Sequence, residues 1–179
     1  MNHFLIFALL AILSIPASSQ TRYYADKSSV TFFSDGVIED IKANNSSVTS
    51  IFDVSKKEIA FLVKVKDFQF DKALMQVHFN EKYLESEKFP KSTFVGQVTG
   101  FNTGKTGVQQ VTAVGKLFIH GVTKDVKIPG TLEKQGSNLT LRSRFMVKLA
   151  DYNIHIPQII WKNVAEEVEI NLDLTYIPL

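Results

Sequence analysis

Polar and apolar residues alternate along most of this chain, and a period of two predicts β-strands rather than helices. The clearest example covers residues 58–66, where Ile59, Phe61 and Val63 share one face and charged residues occupy the other. Successive side chains of a strand point to opposite faces, so each such strand has one apolar face to bury. Several strands of this kind must pack their apolar faces together, in a closed barrel or in a two-sheet sandwich.

Turn residues divide the alternating segments into a series of strands. The eight predicted strands cover 29–33, 47–54, 58–66, 92–101, 108–119, 122–133, 139–149 and 168–176. His120-Gly121 predicts a two-residue hairpin turn, and other short connections also favour antiparallel pairing. Glycines inside strands, such as Gly96 and Gly115, favour the barrel over the sandwich because closure needs sharp local bends. We therefore predict an all-β fold, an eight-stranded antiparallel barrel.

Three segments break the period of two. Residues 37–45 are mixed and predict a helical turn or an irregular loop. Residues 67–90 are rich in aromatic side chains and predict one or two short helices, with Asp71 as the candidate cap of the first. Residues 151–164 predict an irregular crossing loop. These aromatic-rich connections either plug the ends of a solid core or line the mouth of a cavity.

The first residues predict a secretory signal rather than part of the fold. Residues 4–15 form an apolar stretch broken only by Ser14, too short for the ~20 residues that cross a bilayer and without an amphipathic face. Small residues follow, and we expect cleavage after Ser19, with Ala17 or Ser18 as alternatives. The expected domains are a signal peptide over 1–19 and one β-domain over 20–179, located in the bacterial periplasm or secreted.

Composition narrows the class of protein further. A chain of 179 residues with 45% hydrophobic and 21% charged residues fits one globular domain. The net charge of +2 argues against a nucleic-acid partner. A sequence pI near 8.7 gives only a weak bias toward anionic surfaces, compatible with transient membrane contact. The sequence has no cysteine, which excludes disulfides and thiol chemistry and suits a bacterial envelope protein.

Catalytic and metal-binding patterns are absent from the sequence. His78, His120 and His155 do not form a spaced pair of the kind that ligates zinc, and we expect His120 and His155 to be solvated in a turn and a loop. No serine stands in a nucleophile motif, and no glycine-rich nucleotide loop is present. We therefore expect no enzyme activity, no metal and no cofactor.

Two segments carry a resemblance to a known family. Residues 86–94, Ser-Glu-Lys-Phe-Pro-Lys-Ser-Thr-Phe, lead through an aromatic-proline corner into a strand. Residues 115–126 give a glycine, an apolar strand, the turn His-Gly-Val-Thr-Lys and a further strand. With Asp151-Tyr152-Asn153-Ile154 and the strand that begins at Val168, this order resembles the YceI-like family of secreted bacterial lipid-binding proteins. The resemblance covers roughly residues 22–177.

The resemblance implies a fold, a ligand and a location. The fold is an eight-stranded antiparallel lipocalin-like barrel whose interior holds a long polyisoprenoid chain, in the periplasm or beyond. The family has no shared catalytic residues, so none is assigned here. The irregular stretch between Phe33 and Val48, and Phe68-Gln69-Phe70 after the third predicted strand, depart from the family pattern and bear on the identity of the ligand.

These observations favour a non-enzymatic carrier of a long apolar lipid, a polyisoprenoid or an isoprenoid quinone. The alternation predicts that the interior is lined by Ile59, Phe61, Val63, Phe94, Val98, Leu117, Ile119, Leu141, Phe145, Val147, Leu172 and Leu174. The predicted mouth residues are Phe68, Phe70, Met75, Phe79, Tyr152 and Trp161.

Two other functions stay open at this point. One is a secreted interaction module with a filled core and a partner surface on residues 71–90 or on the Trp161 loop. The other is an enzyme that acts on a lipid or a glycan, which requires His78, His120 or His155 to meet a carboxylate in a pocket. The sequence does not determine the oligomeric state.

Overall fold

A computed structural model describes residues 22–36, 40–156 and 165–179 of the chain, so the predicted signal segment and Trp161 lie outside the described residues. The β-segments are β1 (Arg22–Ser34), β2 (Ile41–Asn45), β3 (Thr49–Asp53), β4 (Glu58–Lys64), β5 (Gln69–Phe70), β6 (Lys91–Thr99), β7 (Gly107–Ile119), β8 (Val122–Gln135), β9 (Asn138–Lys148) and β10 (Glu167–Pro178). One α-helix, α1 (Ala73–His78), runs into a π-helical turn over Phe79–Tyr83. No helix in the described ranges is long and apolar enough to cross a membrane.

Eight of the strands close into a barrel. Their order around the ring is β10-β9-β8-β7-β6-β4-β3-β1, and β1 pairs with β10 to complete it. All of these pairings are antiparallel. The longest ladder, between β7 and β8, follows the Ile119–Val122 hairpin, in which His120 (φ 49°) and Gly121 (φ 79°) both have positive φ. The predicted eight-stranded antiparallel barrel is thus confirmed.

The first long strand changes partner along its length. The start of β1 pairs with β3, whereas its last five residues, from Val30 to Ser34, pair with β2. β2 and β3 are therefore two halves of one strand position, joined by a kink at 46–48. Asn45 is fully buried at the kink, where its Nδ2 donates to the carbonyl oxygen of Lys64 (3.0 Å) and its Oδ1 accepts from the backbone N–H of Ser47 (2.9 Å).

Two local predictions need correction. A strand occupies 41–45, where a helical turn or loop was expected, because pairing with β1 on one side and β5 on the other supplies the backbone hydrogen bonds. The short helix begins at Ala73 with Lys72 as its N-cap and no side-chain capping bond, so Asp71 does not cap it. Both regions have weak intrinsic signals, and tertiary contacts decide their conformation.

One end of the barrel is solidly packed. Phe52, Leu132, Leu174 and Tyr176 are almost completely buried there. The Tyr176 hydroxyl lies 2.5 Å from Ser50 Oγ, and burial raises the pKa of this tyrosine above its ordinary value. The connections that follow β1, β4, β7 and β9 all leave from the opposite end. The longer segments therefore gather at one end of a barrel whose other end is closed.

Candidate functional site

An apolar cavity of about 630 Å³ lies inside the barrel. Its volume falls within the range of about 300–1,000 Å³ that small-molecule sites occupy. The lining combines inward-facing residues of the strands with residues of the segment that follows β4. Fifteen of the residues predicted from the sequence belong to it: Ile59, Phe61, Val63, Phe68, Phe70, Met75, Phe79, Phe94, Val98, Leu117, Ile119, Leu141, Phe145, Val147 and Leu172. Their part in binding a ligand stays a prediction.

The structure places two of the predicted residues elsewhere. Leu174 is fully buried in the solid end of the barrel and does not line the cavity, because buried side chains such as Leu132 and Tyr176 fill the interior there. Tyr152 does not line the cavity either, although Leu149 and Val168, with which its side chain packs in a second cluster, do line it. Alternation predicts which face of a strand points inward, but it does not predict the depth at which the interior is hollow. Trp161 falls outside the described residues.

The chemistry of the lining is that of a hydrocarbon site. Basic residues in the lining, Lys72 and His78, lie on or beside α1 rather than on the barrel wall. Burial raises the pKa of Tyr83, so its hydroxyl stays neutral at ordinary pH. An apolar wall of this kind favours alkyl or prenyl chains, since each buried methylene contributes about 0.8 kcal/mol.

Four phenylalanine rings form one cluster at the open end of the cavity. Phe32 of β1 lies 5.6–6.0 Å, centroid to centroid, from the rings of Phe68, Phe70 and Phe79. Phe79 in turn lies 4.9 Å from Phe70 and 5.5 Å from Phe68. Aromatic pairs at these separations attract one another beyond their buried area. The cluster therefore anchors the segment 65–90, here called the cap, onto the barrel.

The helix of the cap forms the rim of the cavity. None of the residues of α1 is buried, and Leu74 is 65% exposed although it also lines the cavity. The Gln76 side chain holds the helix in place, because its Nε2 donates to the carbonyl oxygen of Phe68 (2.7 Å) and its Oε1 accepts from the N–H of Phe70 (3.2 Å). The rim thus has an exposed apolar side chain, Leu74, and is held to the rest of the cap by the hydrogen bonds of Gln76.

His120 joins three segments at the same end of the barrel. Its side chain is only 8% exposed, which corrects the expectation of a solvated turn residue. Nδ1 lies 3.1 Å from the carbonyl oxygen of Tyr152, Nε2 lies 3.0 Å from Glu85 Oε2, and the Phe89 ring packs edge-on at 4.4 Å. The cap, the β7–β8 hairpin and the 3₁₀ turn over Leu149–Tyr152 therefore meet at one imidazole.

Sequence reasoning missed several lining residues. Val111 and Ala113 are in phase with Leu117 along β7, so their inward position could have been inferred from alternation. Phe32 was also accessible, since it follows Val30 at a spacing of two in β1. Other lining residues, such as Ile41 and Ile154, lie in segments without a period of two. Their positions depend on how the chain crosses the end of the barrel, and no local sequence pattern predicts that path.

Polar groups that could catalyse a reaction do not gather in the cavity. Within the described ranges, no three His, Asp or Glu side chains come together as a metal site would require. His120 does meet a carboxylate, at Glu85, but neither residue lines the cavity. His155 is exposed, and His78 lies at the rim. The histidines are therefore distributed over separate environments.

The family comparison agrees with this geometry. The sequence model of one protein family, described as the YceI-like domain, matches residues 22–176 of this chain. The chain belongs to the YceI-like family. YceI-like domains are, in general, binding proteins rather than enzymes. No curated protein matches the chain.

Solved structures of YceI-like and related proteins share the barrel. A polyisoprenoid binding domain from Saccharophagus degradans, implicated in plant cell wall breakdown, aligns with a TM-score of 0.75 at 12% identity, over 88% of this chain and 98% of its own. BcnA from Burkholderia cenocepacia aligns with a TM-score of 0.70 at 20% identity, over 83% and 95% of the two chains. The YceI protein of Campylobacter jejuni aligns with a TM-score of 0.54 at 13% identity, over 98% and 97%. At these identities the likeness shows the fold alone.

Proposed function

We propose that this protein is a non-enzymatic carrier that holds a long apolar lipid, a polyisoprenoid or an isoprenoid quinone, inside its barrel. The observation that carries the proposal is the apolar cavity of about 630 Å³, closed at one end by the packing around Tyr176. The polyisoprenoid-binding relative from Saccharophagus degradans, which shares the fold, supports the same class of ligand.

The shape and polarity of the cavity favour an extended chain. The lining rises from Val98 and Leu141, near the closed end, to Phe70 and Met75 at the rim. A prenyl chain that enters from the rim exchanges contact with water for contact with apolar side chains along its whole length, at about 0.8 kcal/mol per methylene. Binding of this kind requires no catalytic group.

The main alternative, an interaction module with a filled core, is less well supported. A filled core leaves no room for a cavity of this size, and interiors at normal packing density contain few voids larger than a water molecule. The enzyme alternative is also less well supported. The buried His120 faces Glu85 and the Tyr152 carbonyl rather than the cavity, and the described lining around His78 contains no carboxylate.

We also propose that the carrier acts outside the cytoplasm. The apolar run at 4–15 and the small residues before Gln20 support export. The N-terminal sequence of the protein recovered from the periplasm or medium of an expressing bacterium checks this. A start at or near Gln20 is expected, and recovery of the full chain from the cytosol alone would contradict export.

The experiment that tests the carrier is native mass spectrometry of residues 20–179, followed by solvent extraction and identification of the lipid. We expect one prenyl chain per barrel, as a mass difference that extraction removes. A protein of apo mass that also takes up no added long-chain prenyl alcohol or quinone would contradict the proposal and favour the interaction module.

A further inference from the structure

The barrel wall has a seam between β8 and β9. Their ladder ends at the pair Gly130 and Ser143, although β9 continues to Lys148 and β8 begins at Val122. Pro129, the next residue of β8, has no N–H to donate. On their other edges both strands stay paired, β8 with β7 and β9 with β10. The wall is therefore interrupted between β8 and β9, in addition to the gap at 25–29 of β1 beside the kink at 46–48.

The seam is also the place where the wall is thin. Pro129, Gly130, Ser143 and Leu172 line both the internal cavity and a groove of about 500 Å³ on the outer surface. Gly130 adds no side chain, and a Cβ there would lie 2.7 Å from the carbonyl oxygen of Arg142. Ser143 Oγ donates to the carbonyl oxygen of Pro129 (2.6 Å), so a side-chain hydrogen bond closes the wall where the ladder stops.

The outer groove differs from the cavity in its chemistry. Apart from the four residues that it shares with the cavity, its neutral lining consists of hydroxyl and amide side chains, namely Ser29, Thr31, Gln110, Thr131 and Asn171. Hydroxyl and amide groups can donate and accept hydrogen bonds, so they suit a partner that carries hydroxyl or carbonyl oxygens. An apolar cavity and a groove that carries hydroxyl and amide groups share one thin wall, which matches the two parts of an amphiphile.

The charges around the groove select against an anionic headgroup. Arg142 Nε lies 3.0 Å from Asp173 Oδ2, and a second carboxylate, Glu133, lies 4.0 Å from Arg142 Nη1. Arg144 is ion-paired with Glu169. Three carboxylates thus face two guanidinium groups, which leaves no surplus positive charge for a phosphate. A phosphate has the same sign of charge as these three carboxylates, so its binding among them is disfavoured.

We infer that the ligand crosses the seam, with its apolar chain in the cavity and an uncharged headgroup bearing hydroxyl or carbonyl groups in the outer groove. This inference rests on the proposed carrier function and adds the headgroup class and its position. Opening the seam breaks the hydrogen bond between Ser143 and Pro129 and needs no further ladder bond beyond Gly130. The groove residues then replace the water that the headgroup loses.

The headgroup class is tested with ligands of equal chain length. A prenyl alcohol or a prenyl quinone is expected to bind at least about tenfold more tightly than the corresponding prenyl phosphate, because of the carboxylates at the groove. Asp173→Asn, which removes one of the two carboxylates beside Arg142, is expected to narrow that difference. Equal or tighter binding of the phosphate to the unaltered protein would overturn the inference and leave the carrier function standing. If no prenyl lipid binds, the carrier function falls as well.

The position of the headgroup is tested by single cysteines, since the sequence has none of its own. Thr131→Cys places a thiol in the groove, Leu74→Cys places one at the rim, and Val95→Cys places one on the 61%-exposed outer wall as a control. Bound prenyl quinone is expected to slow alkylation several-fold at Thr131→Cys and to leave Val95→Cys unchanged. Protection at Leu74→Cys without protection at Thr131→Cys would place the headgroup at the rim and overturn the seam.

Discussion

Phe145 and Met146 are consecutive residues of β9 whose side chains point to opposite sides of the barrel wall. Phe145 lines the cavity, whereas Met146 is 54% exposed on the outer surface. The two positions therefore give a matched pair of substitutions. A change at Phe145 alters the cavity, whereas the same change at Met146 alters only the outer surface of the same strand.

Phe145→Arg is expected to abolish lipid retention, whereas Met146→Arg is expected to leave it unchanged. A guanidinium inside an apolar cavity without a partner carries a large desolvation cost, and it also blocks the chain. Native mass spectrometry after purification measures retention, and the far-UV circular dichroism spectrum checks that each variant is folded. A folded Phe145→Arg protein that still holds its lipid would contradict the assignment of the cavity as the binding site.

Asp53 gives a prediction of pH dependence. Hydrogen bonds from the Ser55 hydroxyl (2.6 Å) and the Lys56 N–H (3.1 Å), together with Arg22, lower the pKa of its carboxyl to about 2. The unfolded chain binds a proton at higher pH than the native chain, so the stabilisation is complete above about pH 4. It is lost as the pH falls toward 2.

Asp53→Asn is therefore expected to flatten the acid limb of the stability profile. Urea unfolding at a series of pH values between about 2 and 6 measures the free energy of unfolding for both proteins. The difference between them should shrink as the pH falls through this range. A difference that stays constant from pH 6 to pH 2 would contradict the role of the ionised carboxylate.

At the scale of the element, the cap depends on the imidazole of His120. Both ring nitrogens face oxygen atoms, the Tyr152 carbonyl and the Glu85 carboxylate, and the ring is screened from water by Phe89. Gly121 beside it has a φ of 79°, and an added Cβ there would lie 2.7 Å from the Phe89 ring. The turn and the cap are thus fitted to one another.

His120→Leu is expected to destabilise the protein by about 1–3 kcal/mol, because it leaves the buried carbonyl oxygen of Tyr152 without its imidazole partner. Hydrogen exchange should accelerate most in residues 79–90 and 149–154, and lipid should be released faster. Lys116→Ala, which removes an exposed ion pair with Asp125 on the same hairpin, is the control and should cost less than about 1 kcal/mol. Uniform exchange rates in His120→Leu and the parent would show that the histidine does not hold the cap.

At the scale of the molecule, a ligand that fills the cavity couples binding to stability. A cavity of about 630 Å³ leaves its lining atoms without contacts on one side. A lipid bound only by the folded barrel stabilises it by about 2.7 kcal/mol at a hundredfold excess over Kd.

Addition of a prenyl alcohol to delipidated protein is therefore expected to raise Tm by roughly 5–10 °C. Differential scanning calorimetry measures the shift, and the Phe145→Arg variant should show none. An unchanged Tm at saturating lipid in the parent protein would mean that the folded barrel has no preference for the lipid.

The alternation of the sequence was sufficient to predict the class of fold and most of the inward-facing residues. Alternation identified Phe61, Phe94 and Leu117 as inward residues, because the pleat of a strand assigns faces with a period of two wherever one side is buried. The turn at His120-Gly121 was equally local, since it depends on two residues that adopt positive φ.

Features that depend on contacts between residues far apart in the chain could not be predicted from local patterns. The closure of β1 on β10, the strand at 41–45 and the burial of His120 by Glu85 and Tyr152 all join residues far apart in the chain. The exclusion of Leu174 from the cavity has the same origin, since its depth in the barrel and not its face decides whether it meets solid core or empty space. A local pattern records which way a side chain points, whereas the position of the hollow depends on how all the strands pack together.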